Sequence, residues 1–473
     1  MISWNINEQI FKSAWRRLDM RFLRLGNLGM RGVAGTGLTP HNVIAYASAV
    51  GTYFNGGRIA VGMDTRISSK TLRNAAVSGL LGCGAEVIDA GICPAPMLHH
   101  LVRRGKLDGA ILIGAGHHQA GWNAVAPLSS RGSYFSNLQT QELLGIYHSG
   151  IYRTVPWNAV GKIRPCPQGL VGSYLDLLSS LVDAEKIASL RFKVIADFCN
   201  GSGSTIAEAF AKRFGVEMVP INNILSGVLP HDPEPRPRTA MQVQSLIKVL
   251  NADIGFVFNS DMSRASVVTD SGETLSEEYS FPIVADHVLQ RAGKGAGVVS
   301  NCCTTRTLDD IVRMRGGVLH KGKVGQAHTI DKMFETGSVL AGDGSGSIAL
   351  ARGVPGFDSF LLMALVLESM AFSGESSSQI AARLPRYYII KRAVPCSSSH
   401  AYSILRSLRG RLFPDAEFSE EDGLRFDWKD GWVHLRASMT EPIVRMIVEW
   451  KGREKAEEHA AKVYSIIERV VAS

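Results

Sequence analysis

Two arginines and two hydroxyl residues near the C-terminus are the clearest candidates for binding chemistry in this sequence. Arg436, Ser438, Thr440 and Arg445 lie in or beside the run RASMTEP, which connects two apolar, strand-like segments. A guanidinium group contacts two phosphate oxygens at once, and hydroxyl groups fill the remaining lone pairs. The cluster therefore predicts a site for a phosphate dianion. A charged surface hairpin is the alternative for such a loop taken by itself.

The run RASMTEP resembles R-x-S-G-T-E-P, the phosphate-binding loop of the α-D-phosphohexomutases, which include phosphoglucomutases and phosphomannomutases. Further motifs of this family follow in order from about Leu25, namely LGNLGMRG, VGMDTRISS, PEPRP and KVG. Several short motifs in the right order are far more specific than one, so the chain is identified as a member of this family. The resemblance implies ligand contacts from the following residues: Arg31, Asp64, Arg66, Arg264, Asp343, Ser345, Arg436, Ser438, Thr440 and Arg445.

The loop that carries the transferable phosphoryl group in this family departs from its pattern here. The family has T-A-S-H-N-P, whose serine is phosphorylated, and this chain has GAGHHQ with Gly116 at the serine position. Glycine has no side-chain atom that could hold a phosphoryl group. His117 matches the family's histidine, and His118 replaces its asparagine. Either imidazole could accept a phosphoryl group or act as a base, could ligate a transition metal with Asp261, or could be a hydrogen-bonded bystander.

The loop that the resemblance assigns to Mg²⁺ has also changed. The family pattern D-G-D-x-D-R supplies three carboxylates, whereas NSDMSR offers Asn259, Asp261 and Ser263 at those positions. Mg²⁺ requires hard anionic oxygens and loses water reluctantly, so we expect this site to be weak or empty and predict no certain cofactor. The metal serves the phosphoserine, so the two losses belong together.

The third family loop, G-E-x-S-G-H, corresponds to residues 342–347. Asp343 and Ser345 keep groups that could bind sugar hydroxyls, but the histidine is absent. Lys323 of the KVG motif is a candidate acid–base or phosphate-binding residue, and a solvated lysine is the alternative.

In the fourth loop Met439 replaces the family's glycine, which is unfavourable if that position needs a positive φ. The phosphate anchor is thus better preserved than the reaction centre.

Alternating strand-like and helical patterns predict three α/β domains with mixed sheets and a C-terminal α+β domain. The resemblance implies the four-domain heart shape of the phosphohexomutases. An amphipathic pattern near the N-terminus predicts a helix that packs on the body, a second subunit or a protein partner, and a short membrane-surface anchor is the alternative. The expected units are residues 1–21 (N-terminal extension), 22–160 (domain 1), 161–282 (domain 2), 283–385 (domain 3) and 386–473 (domain 4).

Composition narrows the class of protein. With 45% hydrophobic and 20% charged residues, the chain is typical of a globular protein, and it has neither a signal-peptide pattern nor a run of about 20 apolar residues. Seven cysteines without C-x-x-C spacing favour reduced thiols and a cytoplasmic location, and the adjacent Cys302 and Cys303 are interpreted as structural. The net charge of +8 suits phosphorylated small molecules, and no nucleic-acid motif accompanies it.

Together these features predict a phosphohexomutase-like protein that binds a phosphorylated sugar or related ligand but cannot perform the standard 1,6-phosphoryl transfer. It would be a pseudoenzyme or a repurposed phosphosugar-binding protein. A divergent active mutase, or a phosphosugar phosphatase or isomerase that uses His117, His118 or Lys323, is the enzymatic alternative. An assembly protein without a small ligand is the third.

Overall fold

The computed structural model of this chain describes residues 23–396, 398–409, 412–437 and 443–472. The N-terminal extension with its predicted helix lies outside the described residues, as do Ser438, Met439 and Thr440. Within the described part of the chain, no helix combines the length and apolar character that crossing a bilayer requires.

The first domain is built on a seven-stranded mixed sheet with the strand order β1-β2-β6-β5-β3-β4-β7. Strands β3, β4, β5 and β7 are parallel, and β6 runs antiparallel to β5. All five residues of β5 are buried, as expected for the centre of a sheet covered on both faces. Its elements are β1 (Arg24–Gly26), β2 (Gly29–Val33), α1 (Pro40–Tyr53), β3 (Arg58–Met63), α2 (Ser69–Gly82), β4 (Glu86–Ile92), α3 (Ala95–Gly105), β5 (Gly109–Ile113), β6 (Trp122–Leu128), α4 (Asn137–Ser149) and β7 (Ile163–Pro165).

The helices of this domain begin where the sequence supplies capping groups. Before α1, the Thr39 side chain accepts a hydrogen bond from the backbone of Asn42, whose own side chain bonds back to Thr39, and Pro40 occupies the first turn. Ser136 and Gln139 form the same reciprocal pair before α4. Such caps satisfy backbone N–H groups that have no partner inside the helix.

The second and third domains each contain a four-stranded sheet with three parallel strands and one antiparallel edge strand. The orders are β11-β10-β8-β9 and β13-β12-β14-β15. The second domain has α5 (Leu170–Leu181), α6 (Ala184–Leu190), β8 (Lys193–Asp197), α7 (Ala207–Phe214), β9 (Glu217–Ile221), α8 (Met241–Leu250), β10 (Ile254–Phe258) and β11 (Ala265–Thr269). The third has α9 (Ser280–Ala292), β12 (Gly297–Asn301), α10 (Arg306–Met314), β13 (Val318–Gly322), α11 (Gln326–Thr336), β14 (Leu340–Asp343), β15 (Ser347–Leu350), α12 (Ser359–Ser373) and α13 (Ser377–Ala382).

The C-terminal domain is an antiparallel five-stranded sheet, β16-β20-β19-β18-β17, with two helices. It has a hydrophobic core of its own, whereas one continuous core joins parts of the first three domains. Its elements are β16 (Tyr388–Pro395), α14 (Ser398–Leu408), β17 (Glu417–Ser419), β18 (Leu424–Trp428), β19 (Gly431–Ala437), β20 (Ile443–Trp450) and α15 (Arg453–Ala472).

One topological feature recurs in all four domains. The predicted site loop of each domain connects two neighbouring antiparallel strands, β5–β6, β10–β11, β14–β15 and β19–β20. The predicted fold class, three mixed-sheet α/β domains followed by an α+β domain, is confirmed. The domain boundaries stay predictions; strand β7 (residues 163–165) joins the sheet of the first domain.

Candidate functional site

A central cleft of about 250 Å³ collects residues from all four domains. The first domain contributes residues 114–118, the second Asp261 and Arg264, the third Asp343, and the fourth Arg436 and Arg445. These residues come from the four hairpin loops or the strands that flank them. The cleft therefore lies where three of the predicted loops meet the strands that flank the fourth.

The charges that line this cleft favour an anion. Among the described lining residues, the carboxylates are Asp261 and Asp343 only. Five guanidinium groups face them, and these belong to Arg24, Arg31, Arg264, Arg436 and Arg445. A concave surface with such an excess of positive charge concentrates anionic ligands.

The loop at residues 114–119 is held from beneath by a buried ion pair. Arg66 and Asp64 are 2% and 1% exposed, and the Arg66 Nε atom lies 2.9 Å from Asp64 Oδ2. The other two Arg66 nitrogens donate to the backbone carbonyls of Gly116 (3.1 Å), His118 (2.6 Å) and Gln119 (2.8 Å). The pair thus fixes the course of the loop, and neither side chain lines the cleft.

Gly116 lies directly against the loop of the second domain. Its φ is +50°, and a Cβ atom added there would be 2.5 Å from Asp261 Oδ2 and 3.4 Å from Asn259 Nδ2. The Ser260 hydroxyl donates to the Gly116 carbonyl at 2.8 Å. The space that a serine side chain would need at this position is therefore occupied by the Asp261 carboxylate.

The loop at residues 259–264 does not fit a preformed Mg²⁺ site. Asp261 is its single carboxylate, and Asp261 Oδ1 accepts the Ser263 hydroxyl hydrogen at 2.6 Å. Asn259 Oδ1 accepts from the backbone nitrogens of Ser263 (3.0 Å) and Arg264 (3.1 Å). Since Mg²⁺ needs several anionic oxygens in octahedral arrangement, these engaged and largely neutral donors are a poor match.

Arg264 is oriented by the PEPRP motif. Its guanidinium group forms an ion pair with Glu234, the second residue of that motif, and both side chains are mostly buried. A buried guanidinium that keeps one carboxylate partner can still offer its remaining N–H groups to a ligand. The motif therefore acts through Arg264, which lines the cleft.

His117 and His118 are surrounded by positive charge. Burial lowers the pKa of His117 well below its ordinary value, and the nearby guanidinium groups of Arg264, Arg31 and Arg445 lower it further. Burial, Arg31 and Arg264 likewise lower the pKa of His118 to about 3. Both imidazoles are therefore neutral at physiological pH, and they present lone pairs rather than positive charge to the cleft.

We expect neither histidine to take up a proton between pH 8 and pH 5 in the ligand-free protein. Protonation would place a cation among three arginines in a partly desolvated site, which is unfavourable. The chemical shifts of labelled imidazoles, followed by NMR and assigned with the H117Q and H118Q variants, measure this directly. A midpoint near pH 6.5 for either residue would contradict the prediction.

The remaining predicted residues differ in their distance from the cleft. Asp343 lines it and accepts hydrogen bonds from the backbone and hydroxyl of Ser345, which is itself half-buried. Lys323 is exposed, while its neighbours Val324 and Gly325 line the cleft. Asp343 is thus placed to meet a ligand, and Lys323 points to solvent in this arrangement.

Arg436 and Arg445 are direct cross-strand neighbours in the register of β19 and β20. Both line the cleft, and Arg436 is 3.3 Å from the Asp422 carboxylate. Like charges that lie opposite each other on neighbouring strands repel, and an anion between them removes that repulsion. The geometry suits the phosphate clamp that the sequence predicts, although Ser438 and Thr440 lie outside the described residues.

Other lining residues had not been predicted, among them Arg24, Asn27, Gln326 and His328. Arg24 precedes the LGNLGMRG motif and Asn27 lies in it, whereas Gln326 and His328 are one and three residues beyond KVG. Extending each motif by two or three residues would have included all four. Side chains in a loop follow no periodic pattern, so the sequence alone does not show which neighbours of a motif face the cleft.

Four domains that each contribute residues of one hairpin, from its loop or its strands, to a shared cleft define the phosphohexomutase class of protein. Comparison with known families agrees over nearly the whole chain. Four models described as phosphoglucomutase/phosphomannomutase match in order: alpha/beta/alpha domain I at residues 23–153, domain II at 172–272, domain III at 276–388 and the C-terminal domain at 399–466. The chain therefore belongs to the phosphoglucomutase/phosphomannomutase family.

Individual relatives are similar over the same extent. A probable phosphoglucosamine mutase of Thermococcus gammatolerans is 31% identical, with 94% of this chain and 98% of the relative covered. A phosphoglucomutase/phosphomannomutase of Thermococcus kodakarensis is 29% identical with the same coverage. A crystal structure of a family protein from Burkholderia thailandensis superimposes with a TM-score of 0.81 at 24% identity, covering 94% of this chain and 98% of that one.

Proposed function

We propose that this protein binds a phosphorylated sugar in the central cleft and does not perform the serine-based 1,6-phosphoryl transfer of its family. The observation that carries the proposal is the contact between Gly116 and Asp261. Where the family pattern places a phosphoserine, this chain has no side chain, and a carboxylate oxygen lies 2.5 Å from the position of a Cβ atom. A phosphoryl group at that place would meet a carboxylate without a metal to offset the charge.

Binding is supported by what the same cleft retains. Arg31, Arg264 and Arg445, from the first, second and fourth domains, all line the cleft, and all three lower the pKa of His117. Arg436 adds a fourth cation beside Arg445. Such groups form charge-assisted, often bidentate hydrogen bonds with phosphate. Asp343, on the third domain, offers an acceptor for sugar hydroxyls.

Titration with sugar phosphates tests the binding half of the proposal. We expect glucose 6-phosphate or glucosamine 6-phosphate to raise the unfolding temperature, and R445Q to weaken binding about 10- to 100-fold, because a hydrogen bond to a charged group contributes about 1.5–3 kcal/mol. R164Q, at an exposed arginine of β7, is the matched control and should bind normally. Absence of any response to millimolar sugar phosphates would refute the binding proposal.

An active mutase is the second candidate, and two observations favour it. The relatives described above carry mutase names, and His117 presents a neutral imidazole on the loop that bears the family's nucleophile. Conversion of glucosamine 6-phosphate to the 1-phosphate, assayed with a sugar bisphosphate and Mg²⁺, separates the candidates. Turnover above background that disappears in H117Q would establish the enzyme and leave the binding proposal intact.

We also propose the cellular location and the partners of this protein. All seven cysteines are free thiols in the structure, which agrees with the reducing cytoplasm predicted from the sequence. We expect no nucleic-acid partner. Self-association or a protein partner at the N-terminal extension remains a prediction.

A further inference from the structure

A second cluster of reactive side chains lies outside the cleft, at the contact between the third and fourth domains. Cys302 and Cys303 follow β12 of the third domain, and His434 is in the middle of β19 of the fourth. The Cys303 sulfur is 3.2 Å from His434 Nδ1, and the Cys302 sulfur is 3.7 Å from His434 Nε2. Cys302 and His434 are 7% and 1% exposed.

We propose that Cys302, Cys303 and His434 bind one thiophilic d¹⁰ cation, with Zn²⁺ the expected occupant, and that this ion links the third domain to the fourth. One donor atom from each residue lies within 4.8 Å of the other two. In a tetrahedral zinc site the sulfur and nitrogen ligands are about 3.5 Å apart, as follows from Zn–S and Zn–N bonds of about 2.3 and 2.0 Å. The Cys303 sulfur is near that separation from Nδ1, and the Cys302 sulfur, which lies beside Nε2, turns toward Nδ1 on binding.

The imidazole is already held in the tautomer that a metal requires. His434 Nε2 is 2.6 Å from the backbone carbonyl of Asp422, and a carbonyl only accepts, so Nε2 carries the hydrogen of the neutral ring. The lone pair of Nδ1 then faces Cys303. A histidine that donates its second N–H to a backbone carbonyl is the usual supporting arrangement of a metal ligand.

The surroundings also favour thiolate ligands. The Arg425 guanidinium, itself nearly buried, donates to the Cys302 carbonyl and places positive charge beside the sulfurs. Cation binding releases the thiol protons, and half-buried Cys303 gives a route of entry.

The position of the cluster connects it with the cleft. The Asp422 residue that holds His434 also accepts the Val324 N–H at 2.7 Å and pairs with Arg436. Val324 and Arg436 line the cleft on the third and fourth domains. A cation bound behind them therefore fixes the separation of the two domains at the phosphate clamp.

Titration of the metal-free, reduced full-length chain with Co²⁺ and Zn²⁺ tests the inference. We expect one equivalent of Co²⁺ to produce a sulfur-to-cobalt charge-transfer absorption, one Zn²⁺ per chain by mass spectrometry, and a higher unfolding temperature with Zn²⁺. Loss of a supporting contact typically weakens a metal site 10- to 100-fold, so C303S and H434Q, which remove a ligand, should lose about 100-fold or more.

The control is C166S, which removes a half-buried thiol of the first domain and should bind as the wild type does. If H434Q does not fold, C303S alone decides, because it exchanges one small side chain at a half-buried position. Absence of the charge-transfer band in the wild type, or an unchanged band in C303S, overturns the inference.

Discussion

Replacing Arg66 with alanine is expected to lower the free energy of unfolding by about 3–5 kcal/mol, because it leaves the Asp64 carboxylate buried without its counter-charge. Asp64 keeps hydrogen bonds from the Ser69 hydroxyl and from the backbone N–H of residue 66, which are neutral donors. The carbonyls of Gly116 and His118 lose their guanidinium donor at the same time. Denaturant unfolding measures the loss, and faster hydrogen exchange in residues 114–121 shows where it occurs.

The exposed pair Arg58–Glu86 provides the control, since a solvent-exposed ion pair contributes at most about 1 kcal/mol. R58A should therefore change stability little. A double variant, D64N/R66M, removes both charges and should recover part of the loss. Equal destabilisation by R58A and R66A would contradict the role assigned to the buried pair.

The effect of R66A should also depend on pH. Burial already raises the pKa of Asp64 above 3.8 although Arg66 opposes it, and removal of Arg66 raises it further. A carboxyl whose pKa is higher in the folded than in the unfolded state destabilises the fold as the pH rises from 3.8 through the raised value. The variant should thus be least destabilised in acid and most destabilised at neutral pH.

The triple variant G116S/N259D/S263D is expected to acquire a phosphoryl group from a sugar bisphosphate in the presence of Mg²⁺, which the wild type does not. It restores the hydroxyl and the three carboxylates of the family pattern. G116S alone should fail, because with Asp261 as its single carboxylate the second loop binds Mg²⁺ too weakly to offset the charge that the new side chain meets. A residue other than glycine at the φ of +50° of position 116 costs about 1–2 kcal/mol.

The added mass of one phosphoryl group on the peptide containing position 116 is the readout. Without Mg²⁺ the added carboxylates at positions 259 and 263 repel Asp261, so Mg²⁺ should raise the unfolding temperature of the triple variant and leave the wild type unchanged. The matched control, G116A/N259D/S263D, should respond to Mg²⁺ but remain unmodified. A phosphorylated G116S single variant would show that the second loop had not lost its function.

Much of the architecture could be predicted because its determinants are local or repeated. Alternation of strand-like and helical patterns predicted the fold class, of which the buried strand β5 and the C-terminal helix α15 are examples in the structure. The family resemblance carried by the ordered motifs predicted one shared site, and Gly116, Asp261, Asp343 and Arg436 line one cleft. Short motifs at strand ends fix position well, because the strand determines where its loop emerges.

What could not be predicted depends on contacts between distant segments. The sequence VGMDTRISS suggests a ligand-binding loop, but it does not show that Asp64 and Arg66 turn beneath the neighbouring loop. Likewise, Cys303 and His434 are 131 residues apart and approach only through the packing of two domains. Such contacts depend on how distant segments and whole domains pack against each other. A local sequence pattern carries no information on that packing.

The position of all four loops at hairpin tips has an evolutionary consequence. A strand shows alternate residues to opposite faces, so a change in tip length that shifts the strand pairing by one residue would turn the following strand inside out. Point substitutions carry no such penalty. We therefore expect lineages of this architecture to diverge at these tips mainly by exchanging residues at constant length, as the four site motifs of this chain do relative to the family patterns.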